Sequence, residues 1–69
     1  MKVAIVGYRV EGEVSAEYWL GQGCEITVCD QDPGVKNDNL PYQWNLGDNY
    51  LADLDQFELI VRTAGIHPK

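Results

Sequence analysis

Apolar residues fill positions 3 to 6 without interruption, Val3-Ala4-Ile5-Val6, and the run ends at Gly7. A stretch with no polar position fits a strand covered on both faces, as inside a parallel sheet. From about residue 11 to 21 the apolar positions spread out. Val14, Tyr18 and Leu20, with Ala16 and Trp19, predict a helix with a broad apolar face, stopped by Gly21 and Gly23. Glu25-Ile26-Thr27-Val28-Cys29 is apolar and β-branched and predicts a second strand ending at Asp30. Residues 31 to 41 hold two prolines, a glycine, two asparagines and two aspartates, which predicts a surface loop adding little to the core. Tyr42-Gln43-Trp44 reads as a short third strand, Gly47-Asp48 as a turn or cap, and Tyr50 to Leu54 as a brief helix. Phe57-Glu58-Leu59-Ile60-Val61-Arg62 is the fourth strand, running into Thr63-Ala64-Gly65-Ile66-His67-Pro68.

Strand, helix, strand, strand, helix, strand with right-handed crossovers makes an α/β fold. The expected architecture is a Rossmann-like parallel sheet of order 3-2-1-4 with flanking helices, one domain over residues 1 to 69. The carboxyl ends of the first, second and fourth strands then share one edge. Sixty-nine residues suffice for one small domain with a thin core.

A net charge of −6 disfavours nonspecific binding to nucleic acid or anionic lipid. No apolar run approaches the roughly 20 residues that span a bilayer, and no signal peptide opens the chain, so no membrane role and a cytoplasmic location are expected. Cys24 and Cys29 have neither CxxC spacing nor enough partners for a zinc set, and are expected to be buried reduced thiols.

Chemistry concentrates at the turn after the first strand. Gly7-Tyr8-Arg9-Val10-Glu11-Gly12 follows a strand and opens a helix, the context in which backbone amides at a helix N-terminus face a phosphate. The alternative is structural: Gly7 permits a tight turn and Gly12 a close helix–sheet contact, with no ligand. Arg9 occupies the place of the second glycine in Gly-x-Gly-x-x-Gly; its guanidinium suits direct phosphate binding and its bulk suits obstruction of a diphosphate, of which obstruction is expected, with Glu11 and Glu13 adding repulsion. Asp30, at the end of the second strand, suits a sugar hydroxyl or base N–H, or else is a loop acid or cap. Thr63-Ala64-Gly65 offers a hydroxyl, amides and close approach, or an ordinary strand exit. His67 has no evident nucleophile or carboxylate partner, so no catalytic residue is assigned. These features also suit a nicotinamide- or flavin-binding domain, or a scaffold that binds no small molecule.

Residues 3 to 16, 25 to 32 and 57 to 68 together resemble the N-terminal domain of the Mur ligases, most closely those that add D-glutamate in peptidoglycan synthesis. Phe57 to Pro68 is the most telling segment, similar to the family's strand followed by Ser-Pro-Gly-Ile and a later proline. The resemblance implies a domain that holds the UDP part of a UDP-linked muramic acid substrate, while other domains bind ATP with magnesium and the amino acid. Val10, Glu11 and Gly12 would then lie at the diphosphate turn, Asp30, Gln31 and Asp32 beside uracil and ribose, and Thr63, Ala64 and Gly65 on the opposite wall. The sequence departs from the family at Arg9 for glycine, Glu11 for threonine and Thr63-Ala64 for Ser-Pro. The family's domain continues through another helix and strand, so a truncated domain is expected to pair with a second copy through its uncovered sheet edge. No Gly-x-x-x-x-Gly-Lys-[Ser/Thr] run occurs in the 69 residues, and no ATP cofactor or ligation is expected of this chain alone.

Overall fold

The computed structural model describes residues 1 to 63. Strand β1 (Lys2–Val6) pairs in parallel with β2 (Glu25–Asp30) on one side and β4 (Leu59–Arg62) on the other, and β3 (Gln43–Leu46) extends the sheet beyond β2. The order is β3-β2-β1-β4, all parallel, as the crossover argument requires. Val3 aligns with Ile26 and Leu59, and Val6 with Cys29 and Arg62. Lying between two strands explains the unbroken apolar run of β1, whose Val3, Ala4, Ile5 and Val6 are all buried.

One helix, α1 (Val10–Gly21), packs on one face of the sheet over Val3, Ile5, Ile26 and Val28. Its orientation agrees with the sequence expectation at Ala16 and Trp19 and departs from it at Val14, Tyr18 and Leu20. Val14 and Tyr18 are 62% and 58% exposed and Leu20 is also exposed, whereas Gly12 and Ala16 are the buried positions and Trp19 is half-buried. Residues 12, 16 and 19 fall within one narrow stripe at 100° per residue, and 14 and 18 fall on the far side. The helix therefore lies on the sheet through Gly12 and Ala16, with Trp19 packed at the margin of the contact.

The opposite face holds Ala4, Val6 and Cys29 under Tyr50, Leu54 and Phe57. The helix expected over 50 to 54 is instead a run of turns closing in a 3-10 turn at Leu54–Gln56, so among the described residues one α-helix flanks the sheet. Asn49, Asp53 and Asp55 explain this, because short polar side chains favour turns over helix interiors; Asp53 takes the left-handed conformation with φ of 60°. The loop after β2 also contributes more than expected. Asp32 caps a 3-10 turn at Pro33–Val35, and Leu40 packs against the core. Strand β3 is displaced towards the C-terminus, and β4 begins two residues later than its apolar run.

Both cysteines are buried free thiols, and burial pushes the Cys29 thiol pKa up. No helix among the described residues is long and apolar enough to cross a membrane.

Candidate functional site at the carboxyl edge of the sheet

Chain direction changes at Gly7, whose φ of 91° lies in the left-handed region that glycine tolerates. The Gly7 N–H donates to the Cys29 carbonyl at 2.8 Å, which keeps the turn against β2. Arg9 follows as the N-cap of α1, with extended backbone and no side-chain cap bond. The first helical bond runs from the Glu13 N–H to the Arg9 carbonyl at 2.8 Å, so Val10, Glu11 and Gly12 form the first turn at the positive end of the helix dipole. A φ of −115° at Arg9 suits any side chain, and the residue is exposed, so the missing glycine produces no backbone strain.

Gly12 is required for a different reason. A Cβ there would lie 2.3 Å from the Gly7 carbonyl oxygen and 3.5 Å from Thr63 Cγ2. That oxygen cannot withdraw freely, because the Thr63 hydroxyl donates to it at 3.0 Å and the Thr63 N–H donates to the neighbouring Val6 carbonyl at 3.2 Å. Thr63 is itself buried. The exit of β4 is thereby tied to the turn after β1.

Asp30 ties the other side. Its Oδ2 accepts from the Tyr8 N–H at 2.8 Å and its Oδ1 from the Asp32 N–H at 2.9 Å, with the residue 9% exposed. Each carboxylate oxygen thus holds a loop amide, one across 22 residues and one in its own loop. Asp32 in turn accepts from the Gly34 N–H at 2.8 Å. Val10, Glu11, Gly12, Asp30 and Thr63 converge on one edge, and Gln31 and Asp32 sit in the exposed loop beside them. Ala64 and Gly65, like His67, lie outside the described residues.

Sequence reasoning missed an aromatic cluster beside this turn. The ring of Tyr8 meets Trp44 edge-on at 5.5 Å and Tyr42 at 6.3 Å, and Tyr42 lies 5.9 Å from Trp44. Burial raises the phenol pKa of both tyrosines, with smaller contributions from Tyr42 at Tyr8 and from Glu13 and Glu17 at both. Alternation of Tyr42 and Trp44 about Gln43 signalled a shared face; nothing local signalled that Tyr8 would join them. Among the described residues no group of three metal-ligating side chains comes together. What this edge offers is an amide-bearing turn at the positive end of the helix dipole, tied by hydrogen bonds on both sides, with Glu11 and Glu13 in the same first turn.

The chain is 30% identical over 74 aligned positions, 97% of its length, to a UDP-N-acetylmuramoylalanine--D-glutamate ligase of Ruminiclostridium cellulolyticum. It spans 16% of the length of that relative. The similarity supports a distant relation to the Mur ligases. No family model matches the chain, and no solved structure does.

Proposed function

We propose that this domain binds the UDP end of a UDP-linked muramic acid substrate for a D-glutamate-adding ligase. In this reading the first turn of α1 receives the diphosphate, Asp30 to Asp32 border the nucleoside, and the Thr63 exit forms the facing wall. The observation that carries it is the convergence of the β1–α1 turn, Asp30 and Thr63 on one sheet edge, in a chain whose similarity to such a ligase covers 97% of its length. Because both oxygens of Asp30 already hold loop amides, its contribution is to fix the shape of the turn, with remaining lone pairs for a sugar hydroxyl. The test is titration of the labelled 69-residue chain separately with UDP, UDP-N-acetylmuramoyl-alanine and NAD. Saturable amide shifts at residues 7 to 12, 30 to 32 and 63 with the uridine ligands, and weaker ones with NAD, are expected. Preference for NAD would favour an oxidoreductase domain, and silence with all three a scaffold.

Arg9 gives a sharper variant. Its backbone is extended without strain, its side chain is exposed, and among the described residues no carboxylate forms an ion pair with its guanidinium. In a chain of net charge −6 this cation adds attraction for a diphosphate, the reading of Arg9 that we favour over obstruction. Arg9→Gly is therefore expected to weaken UDP binding roughly fivefold at low salt and to flatten its salt dependence. Tighter binding by the glycine variant would restore the obstruction view.

A further inference from the structure

On the sheet face away from α1, the segment after β3 covers β1 and Cys29 of β2 and stops short of Thr27 and β3. Tyr50, Leu54 and Phe57 close over Ala4, Val6 and Cys29. Beyond Phe57 the surface turns polar. Thr27 stands beside Gln43 in the parallel register, and Asn45 follows two residues along β3, which sets the three side chains on one face. With Phe57 they line a cleft of about 400 Å³. At its end are Lys2 and Glu25, neighbours in register carrying one charge of each sign, and Gln56, whose Oε1 accepts from Lys2 Nζ at 3.1 Å.

The cleft's chemistry is specific in two ways. Thr27, Gln43 and Asn45 offer a hydroxyl and two primary amides, each both donor and acceptor, and no hydrogen bond engages these side chains among the described residues. Phe57 supplies an aromatic wall at their side, with Lys2 Nζ over its ring at 5.9 Å from the centroid, and the opposite charges of Lys2 and Glu25 give no preference for an ion. Groups that both donate and accept match ligand hydroxyls, and a ring edge or face matches the C–H surface of a saturated ring. The volume lies at the small end of the range for small-molecule sites. We propose that this cleft binds a neutral polyhydroxylated ring of monosaccharide size. It is separate from the edge at the N-terminus of α1, so its occupancy does not depend on the UDP reading.

The experiment follows the side-chain NH2 signals of Gln43 and Asn45 in the 69-residue chain during titration with methyl β-glucopyranoside. Cyclohexanol serves as a ring of similar size with one hydroxyl, and UDP as a marker of the other site. Saturable glucoside shifts in the millimolar range, absent with cyclohexanol, are expected. Gln43→Ala and Asn45→Ala should each weaken binding about tenfold with an unchanged unfolding midpoint, since both side chains sit on an edge strand. Phe57→Ala is the less direct variant because Phe57 also packs over the core. Shifts that grow linearly without saturating, equal shifts with cyclohexanol, or shifts confined to residues 7 to 12 would each overturn the proposal.

Discussion

Gly12→Ala should cost about 3 kcal/mol, lowering the unfolding midpoint by roughly 10–20 °C for a domain of this size. The added methyl would sit 2.3 Å from the Gly7 carbonyl oxygen and 3.2 Å from its carbon. Relief requires a shift of the helix or of the turn, and neither is free to move. The turn is held by the Thr63 hydroxyl at the Gly7 oxygen and by the Cys29 carbonyl at the Gly7 amide, while the helix is seated on β1 and β2 through Ala16. Total stability for 69 residues is of order 3–10 kcal/mol, so this one methyl removes a large share of it. Gly21→Ala is the matched control. It lies in the same helix with nothing within 4 Å of its Cβ position, and should gain up to about 1 kcal/mol because alanine loses less backbone entropy. Urea unfolding followed by circular dichroism reads both. Equal midpoints for Gly12→Ala and wild type would show that the turn yields cheaply, and the account of Gly12 would fail.

Asp30→Ala is expected to be nearly as damaging, at about 3 kcal/mol, through lost hydrogen bonding rather than overlap. A carboxylate accepting from a backbone amide gives more than a neutral pair, and here two amides, Tyr8 and Asp32, lose their acceptor together. Asp30→Asn should fall between, at about 1.5 kcal/mol, because one oxygen still accepts while the new NH2 faces an amide donor. Hydrogen exchange separates this mechanism from general destabilisation. The Tyr8 amide should exchange much faster in both variants under conditions where the central amides of β1 keep their protection. Unchanged protection of Tyr8 in Asp30→Ala would mean that the bond does not hold the turn.

These two residues show how far the site was readable along the chain. Asp30 stood out as an acid at the end of a strand, and Gly12 as a glycine opening a helix. For Gly12 the structural alternative, close packing on the sheet, is what the geometry displays; the ligand role is a separate question that close packing does not exclude. For Asp30 the partner was unreadable, because Tyr8 is 22 residues away and contributes a backbone amide that carries no residue-type signal. Thr63 was noted for its hydroxyl, yet its acceptor is a main-chain carbonyl 56 residues distant.

By itself the sequence determined the alternation of strands and helix, the parallel order 3-2-1-4, the two-sided burial of β1 and the placement of Asp30 and the α1 turn on one edge. Each follows from local periodicity joined to the handedness of the crossover, and both are properties of short segments. The tertiary structure decided which side of α1 faces the sheet, what became of residues 50 to 54, and which groups hold the turn. Periodicity counts apolar positions without weighing their size, so it put Val14 and Tyr18 inward. Close contact with the Gly7 carbonyl leaves room only for a glycine at position 12, and that contact turned the helix so that Gly12 joins Ala16 inward while Val14 and Tyr18 face out.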